Sequence, residues 1–76
     1  MIDYEFIDRF KKWYGESLEN IEKGRNLEEI QNEALGLIEV GKRRIKENEA
    51  KGISTSSLES INNDLFYLIF KIKEIT

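Results

Sequence analysis

Apolar residues recur along the chain with the period of an α-helix, in three segments separated by single glycines. The spacing predicts helices over about residues 3–23, 27–51 and 55–75, with Gly24 and Gly52 at the two breaks. Glycine suits both breaks, because the residue that follows a helix often adopts a left-handed conformation. Short connections make consecutive helices antiparallel. The pattern therefore predicts an all-α fold, an antiparallel up-down-up three-helix bundle that forms a single domain over the whole chain.

Polar residues at the first two predicted helix starts have the chemistry of N-caps. The carboxylate of Asp3 can accept free amides of the first turn, and Ile2 and Ile7 flank it at the spacing of a hydrophobic staple. Asn26, with Glu29 three residues later, resembles a capping box.

Two starts compete for the third helix. Ser54 as the N-cap would place Ile53 and Leu58 as a staple, whereas Ser56 would form a capping box with Glu59. Either choice begins the helix within two residues of the other.

Each predicted helix carries one apolar stripe that should face the core. The stripes comprise Ile7, Phe10, Tyr14, Leu18 and Ile21 in the first helix, Leu27, Ile30, Ala34, Leu37 or Ile38, Gly41 and Ile45 in the second, and Leu58, Ile61, Leu65, Leu68, Ile72 and Ile75 in the third. The small residues Ala34 and Gly41 should let a neighbouring helix approach the second one closely.

The third helix has more large apolar side chains than its stripe requires. Every residue from 65 to 70 is apolar, and Phe66, Tyr67 and Phe70 fall largely away from the stripe. Two interpretations stay open. Rotation of the helix buries two of the rings against the first helix, or the three rings form an exposed patch for a partner or a second subunit. Trp13 and Phe6 on the first helix either extend such a patch or cover it.

Composition excludes many kinds of active site. Among the 76 residues there is no cysteine or histidine, so the chain has no disulfide, thiol nucleophile, imidazole base or zinc site of the Cys/His type. Carboxylates are frequent, but no shielded pocket is predicted that would shift the pKa of one of them for acid–base work. We expect a protein that is not an enzyme and that takes no cofactor, metal or small-molecule substrate.

The charge distribution bears on nucleic acids and membranes. The net charge is −3, and the basic run at residues 42–46 has glutamates on both sides, with Glu39 and Arg43 spaced as an i,i+4 pair. We therefore expect no nucleic-acid binding. No apolar run approaches the roughly 20 residues of a membrane span, and the N-terminus does not begin a signal peptide, which favours a cytoplasmic location.

Residues 61–70 resemble part of a known family. Ile61, Asn62, Tyr67, Leu68 and Phe70 are similar to the third-helix pattern of class IIa bacteriocin immunity proteins of the enterocin A immunity type, where an Ile/Leu-Asn pair precedes Tyr-Leu-x-Phe. The resemblance implies a small cytosolic antiparallel helical bundle. It also implies protection of a bacteriocin producer by contact, from the cytosolic side, with a mannose-transport permease that has bacteriocin bound. It implies no catalytic residues.

The leading functional hypothesis is a non-enzymatic protein-binding module, specifically of the bacteriocin-immunity type. Phe66, Tyr67 and Phe70, rimmed by Lys71 and Lys73, would contact the protein target, since aromatic anchors inside a charged rim are typical of such contacts. Two alternatives remain. One is a homo-oligomeric structural or regulatory protein, for example a homodimer in which the patch of one copy contacts the patch of the other. The second is a small protein inhibitor of the phage or plasmid type.

Overall fold

The computed structural model describes residues 4–75, which form three α-helices. The first, α1, spans Tyr4–Glu22; α2 spans Leu27–Ala50; and α3 spans Ser56–Ile75. The helices pack side by side in a body of 40 × 19 × 15 Å, and each turns back along its predecessor. The predicted all-α three-helix bundle is confirmed.

Both glycine breaks are Schellman motifs. Gly24 has φ 69°, its amide donates to the carbonyl of Ile21 at 3.0 Å, and the amide of Arg25 donates to that of Asn20 at 2.8 Å. The same pair of bonds closes α2 around Gly52, where φ is 71°. Only a residue without a Cβ adopts this conformation at no steric cost, so the sequence prediction for the two breaks is confirmed.

The predicted cap at Asn26 is wrong. Asn26 adopts a left-handed conformation, φ 55° and ψ 29°, and its side chain caps no amide of the described chain. An N-cap side chain reaches the first-turn amides from an extended backbone, which Asn26 does not have, so no capping box with Glu29 forms. The backbone carbonyl of Asn26 instead accepts the amide of Ile30 at 2.9 Å. The cap at Asp3 and its staple with Ile2 lie outside the described residues.

At the start of α3 the structure is closer to the Ser54 alternative. The carbonyl of Thr55 accepts the amide of Glu59 at 2.9 Å, so Ser56 is already the first helical residue and cannot cap Glu59. The hydroxyl of Ser54 accepts the amide of Ser56 at 3.5 Å. The predicted Ser56–Glu59 capping box is therefore wrong.

The core follows the predicted stripes with a few changes. Among its buried apolar residues are Phe10, Ile21, Ile30, Ala34, Ile38, Leu58, Ile61, Leu65, Leu68 and Ile72. Ser17, Asn62 and Ile69 are also buried, although the stripes did not include them. Ile75, placed in the third stripe, is more than half exposed.

The exposure of Ile75 follows from where α1 ends. Each residue advances about 100° around a helix, so Ile75 lies near Ile61 on the side of α3 that faces α1. Ile61 lines a common pocket with Ile7 of α1, and α1 and α3 run parallel. Ile75, fourteen residues after Ile61, is therefore level with the end of α1 at Glu22, beyond which α1 cannot cover its side chain.

The three helices do not contact one another equally. The α2–α3 seam is the most extensive, α1 packs mainly on α3, and α1 touches α2 least. As a result the bundle has a closed side, at the α2–α3 seam, and an open side, between α1 and α2.

Candidate protein-binding surface

Three aromatic rings on α3 are exposed to solvent. Phe66, Tyr67 and Phe70 are 52%, 50% and 60% exposed, respectively. We call these three residues the aromatic patch. The interpretation in which helix rotation buries two of them against α1 is therefore wrong, and the interpretation with an exposed patch agrees with the structure.

The rotation of α3 about its own axis explains this exposure. Each residue advances about 100° around a helix, and the seven buried residues of α3 then fall within about 120° of arc. Asn62 and Ile69 are the buried residues on the side of that arc that faces α2, opposite Gly41. Since α1 and α2 cover one arc, the aromatic patch lies on the arc that neither helix reaches.

A straight row of exposed residues runs along this outer side of α3. The row, which we call the outer stripe, comprises Glu59, Asn63, Phe66, Phe70 and Lys73. Its spacing alternates between four and three residues, so its members stay within about 80° of arc. It is acidic at the N-terminal end, aromatic in the middle and basic at the C-terminal end.

The two predicted rim lysines occupy different places. Lys73 ends the outer stripe. Lys71 is turned toward α1 and lies over the ring of Tyr67, with its Nζ 5.6 Å from the ring centroid, which is the distance of a cation–π contact. Tyr67 therefore forms the α1-side edge of the aromatic patch.

Leu35 of α2 also borders this surface, and sequence reasoning missed it. Its side chain is 48% exposed. Given the Gly41–Asn62 contact, Leu35 is level with Leu68 and so lies between Phe66 and Phe70 along the bundle axis. The pattern within α2 shows only that Leu35 lies off the apolar stripe, and its proximity to the rings depends on how α2 and α3 are docked.

The side of α2 on which Leu35 lies is fixed by the α1 contacts. Glu33 and Arg44 face α1, because they contact Trp13 and Phe6. Leu35 lies on the opposite edge of α2. On α3, Asp64 faces α1 and Phe66 lies on the opposite edge. Leu35 and Phe66 thus border the same α2–α3 seam.

Trp13, predicted to extend or cover the aromatic patch, does neither. Its indole N–H donates to the carboxylate of Glu33, which places it between α1 and α2. A second link crosses the same seam, since the guanidinium of Arg44 lies 4.5 Å from the ring centroid of Phe6. Between the two links is an open apolar groove of about 530 Å³, with Phe10 among its lining residues.

Tyr14 of α1 is a partly buried phenol that lies near Asp64 of α3. Its ring stacks on Phe10 with 5.4 Å between centroids. Burial raises the pKa of the Tyr14 hydroxyl above its ordinary value of 10.0, and the neighbouring Asp64 carboxylate and Tyr67 raise it further. A phenol with a raised pKa stays neutral near pH 7, which suits a packing role and not that of a proton-transfer group.

Comparison with family models, curated protein sequences and solved structures returned no match to this chain. Across residues 4–75, no three acidic side chains are grouped closely enough to hold a metal ion. Over the same residues, none of the helices combines the length and apolar character that crossing a bilayer demands. The surface features that remain are the aromatic patch on α3 and the groove between α1 and α2.

Proposed function

We propose that this chain is a non-enzymatic protein-binding module that contacts its partner through the outer side of α3. The observation that carries this proposal is the exposure of three large aromatic rings on one helix side, in a bundle whose core is filled without them. Burial of apolar surface stabilises a protein or a complex by about 25 cal/mol for each Å², and the exposed rings do not gain this stabilisation in the isolated chain. Clustered aromatic side chains bordered by charge are the usual anchors of protein–protein contacts, and binding would bury them.

Site-specific photo-crosslinking tests this proposal. The photoreactive amino acid p-benzoylphenylalanine is placed at position 66 or 70, and, as the matched control, at position 12, where the exposed Lys12 of α1 lies away from the patch. We expect irradiation of cells that produce the chain to give discrete polypeptide adducts from positions 66 and 70 and none from position 12. The same adducts from all three positions, or none from any, would contradict the proposal.

A narrower proposal concerns bacteriocin immunity. Five residues carry the resemblance to that family, and the fold divides them: Ile61, Asn62 and Leu68 are buried, whereas Tyr67 and Phe70 belong to the aromatic patch. Three residues of the resembling pattern would then maintain the helix packing while two contact the target. Acting in the cytoplasm, the chain would bind a bacteriocin-bound permease complex at the membrane.

Survival of a bacteriocin-sensitive strain tests the narrower proposal. Cells that produce the chain should survive class IIa bacteriocin, and cells with Tyr67→Ser/Phe70→Ser at equal protein level should be killed. Lys12→Ser serves as the surface control and should protect as well as the unchanged chain. Killing of all producing cells would overturn the immunity assignment and leave the crosslinking result to decide the broader proposal.

A further inference from the structure

The outer stripe has the pattern of a helix that pairs with an identical helix. We propose that two copies of this chain associate as an antiparallel homodimer through the outer stripe of α3, with Phe66 and Phe70 at the centre of the contact. This inference rests on the proposed function and identifies the partner as a second copy.

The spacing of the outer stripe supports helix pairing. Intervals of four, three, four and three residues are those of alternating a and d positions in a heptad, and they keep one straight seam facing a neighbouring helix. A seam of this kind already joins α3 to the bundle on its inner side. The outer stripe gives α3 a second seam, and residues 4–75 of one copy leave that seam uncovered.

Charge on the stripe favours a second copy in the antiparallel orientation. Glu59 and Lys73 each stand seven residues from Phe66, or about 10.5 Å along the axis in opposite directions. Antiparallel pairing about Phe66 places Glu59 of each copy level with Lys73 of the other. Parallel pairing would place like charges together at both ends of the stripe. The stripe is therefore complementary to itself in one orientation.

A two-fold axis next to Phe66 would also double the apolar contact. In such an isologous interface every contact occurs twice, so the four phenylalanine rings from two copies meet at the centre. Leu35, level with these rings and 48% exposed, would extend the apolar contact onto α2 in both copies. The aromatic residues thus lie at the centre and the charges at the periphery, the arrangement found in stable interfaces.

Sedimentation equilibrium of charge-reversal variants tests the homodimer. The unchanged chain should shift from a mass of 9.0 kDa toward twice that value as its concentration rises from about 1 to 200 µM, the range expected of a small interface. Glu59→Lys or Lys73→Glu alone should weaken dimerisation about tenfold, because each places like charges together. The double reversal, Glu59→Lys/Lys73→Glu, should restore the dimer to within about threefold. Glu16→Lys, on the exposed side of α1, is the control and should leave the mass unchanged.

Disulfide trapping gives a second measurement that does not depend on charge reversal being tolerated. The chain has no cysteine of its own, so single cysteines report only the introduced positions. When a Glu59→Cys chain is mixed with a Lys73→Cys chain, antiparallel pairing predicts that mixed disulfides predominate. A predominance of disulfides between identical chains would overturn the antiparallel arrangement.

The outcomes separate this inference from the proposed function. A chain that stays at 9.0 kDa at about 200 µM, well above the range of a useful contact, overturns the homodimer. Crosslinks from positions 66 and 70 to a different protein would then still support the proposed function. A dimer that is unaffected by the stripe variants would likewise overturn the inference, since its interface would lie elsewhere.

Discussion

At the scale of single residues, the aromatic patch and the core residues next to it differ in what they contribute to folding. Leu65 and Leu68 are fully enclosed, whereas Phe66 and Phe70, their neighbours in the chain, are more than half exposed. Removing an enclosed side chain leaves a cavity, but removing an exposed one does not. The stability of the fold should therefore depend on the leucines and not on the rings.

Alanine substitution distinguishes these two kinds of residue. Phe66→Ala/Phe70→Ala should change the free energy of unfolding by less than about 1 kcal/mol, whereas Leu65→Ala should lower it by about 2–5 kcal/mol. Urea unfolding followed by circular dichroism, at a protein concentration too low for association, measures both. A large loss of stability in the phenylalanine double variant would show that the rings belong to the core.

Tyr14 gives a residue-scale prediction about pH. Because the folded state raises the pKa of Tyr14, the unfolded chain releases this proton first as the pH passes 10.0, and the stabilising effect of the neutral phenol is lost above that value. Stability should therefore fall above about pH 10, and less so in Tyr14→Phe. Asp64→Asn should lower the pKa of Tyr14 toward its ordinary value but not reach it, since burial is the larger cause.

Ultraviolet titration of the tyrosinate band measures the Tyr14 pKa directly. Tyr14→Phe removes the absorbance change that belongs to this residue and thereby assigns it. The interpretation would fail if the transition lost in Tyr14→Phe were centred at or below pH 10.0.

At the scale of helices, the Gly41–Asn62 contact fixes how α2 and α3 are docked. A Cβ at position 41 would overlap the Oδ1 atom of Asn62, which is buried and accepts no hydrogen bond from the described residues. A buried amide oxygen without a hydrogen-bond partner lowers the stability of the folded state. This contact therefore determines how α2 and α3 are positioned more than it stabilises them. It also sets the register that places Leu35 beside the aromatic patch.

Alanine at two glycines of α2 should have opposite effects. At Gly36 a Cβ would meet nothing within 4 Å among the described residues apart from its chain neighbours and the backbone of its own helix, so Gly36→Ala should stabilise the fold by about 0.5–1 kcal/mol through helix propensity. Gly41→Ala should destabilise it by about 1–2 kcal/mol, because the buried Asn62 must move.

A third variant tests whether Asn62 causes the loss of stability expected for Gly41→Ala. In an Asn62→Ala background, Gly41→Ala should become stabilising by up to about 1 kcal/mol, since the overlap is gone and the helix propensity of alanine remains. Thermal unfolding of the four chains gives the coupling between the two positions. Additive effects of the two substitutions would mean that their contact does not limit the packing.

At the scale of the whole molecule, the three helices differ in how extensively each packs against the other two. The α2–α3 seam is continuous, whereas α1 is joined to α2 through the links at Trp13 and Phe6, with an open groove between them. Segments with fewer buried contacts open at lower free energy than the rest of a fold. The pair α2–α3, which carries the proposed interface, is thus the stable part of the bundle.

Hydrogen exchange should show this order. Amides in the middle of α2 and α3 should be the most protected, and those of α1 should exchange earlier, through an opening that leaves the α2–α3 pair in place. Native-state exchange read out by mass spectrometry or NMR measures it. Equal protection of α1 and α3 would indicate that the bundle opens only as one unit.

The sequence predicted well what depends on local interactions. The helical period was sufficient to predict the three helices, and the glycine positions were sufficient to predict the C-terminal ends of α1 and α2. A Schellman motif needs a left-handed residue whatever the helix packs against. The starts were predicted less well. Asn26 and Ser56 have capping chemistry, but the backbone angle at one and the position of the other inside the helix depend on the path of the connecting loops.

The surface was predicted in part. An apolar run over residues 65–70 showed that α3 has more large side chains than one stripe holds, and the patch of Phe66, Tyr67 and Phe70 follows from that excess. Trp13 and Leu35 could not be placed in the same way. Each stands beside an apolar stripe, and the partner it faces is on another helix.

By itself the sequence determined three helices, their ends and the residues available for a core, because these follow from spacing within one segment. Only the tertiary structure decided how far each helix is turned about its axis and at which level it meets its neighbours. That choice put Asn62 inside against Gly41 and left the aromatic patch outside beside Leu35. The reason is that rotation and register depend on how side chains of different helices fit together, and no single segment contains that information.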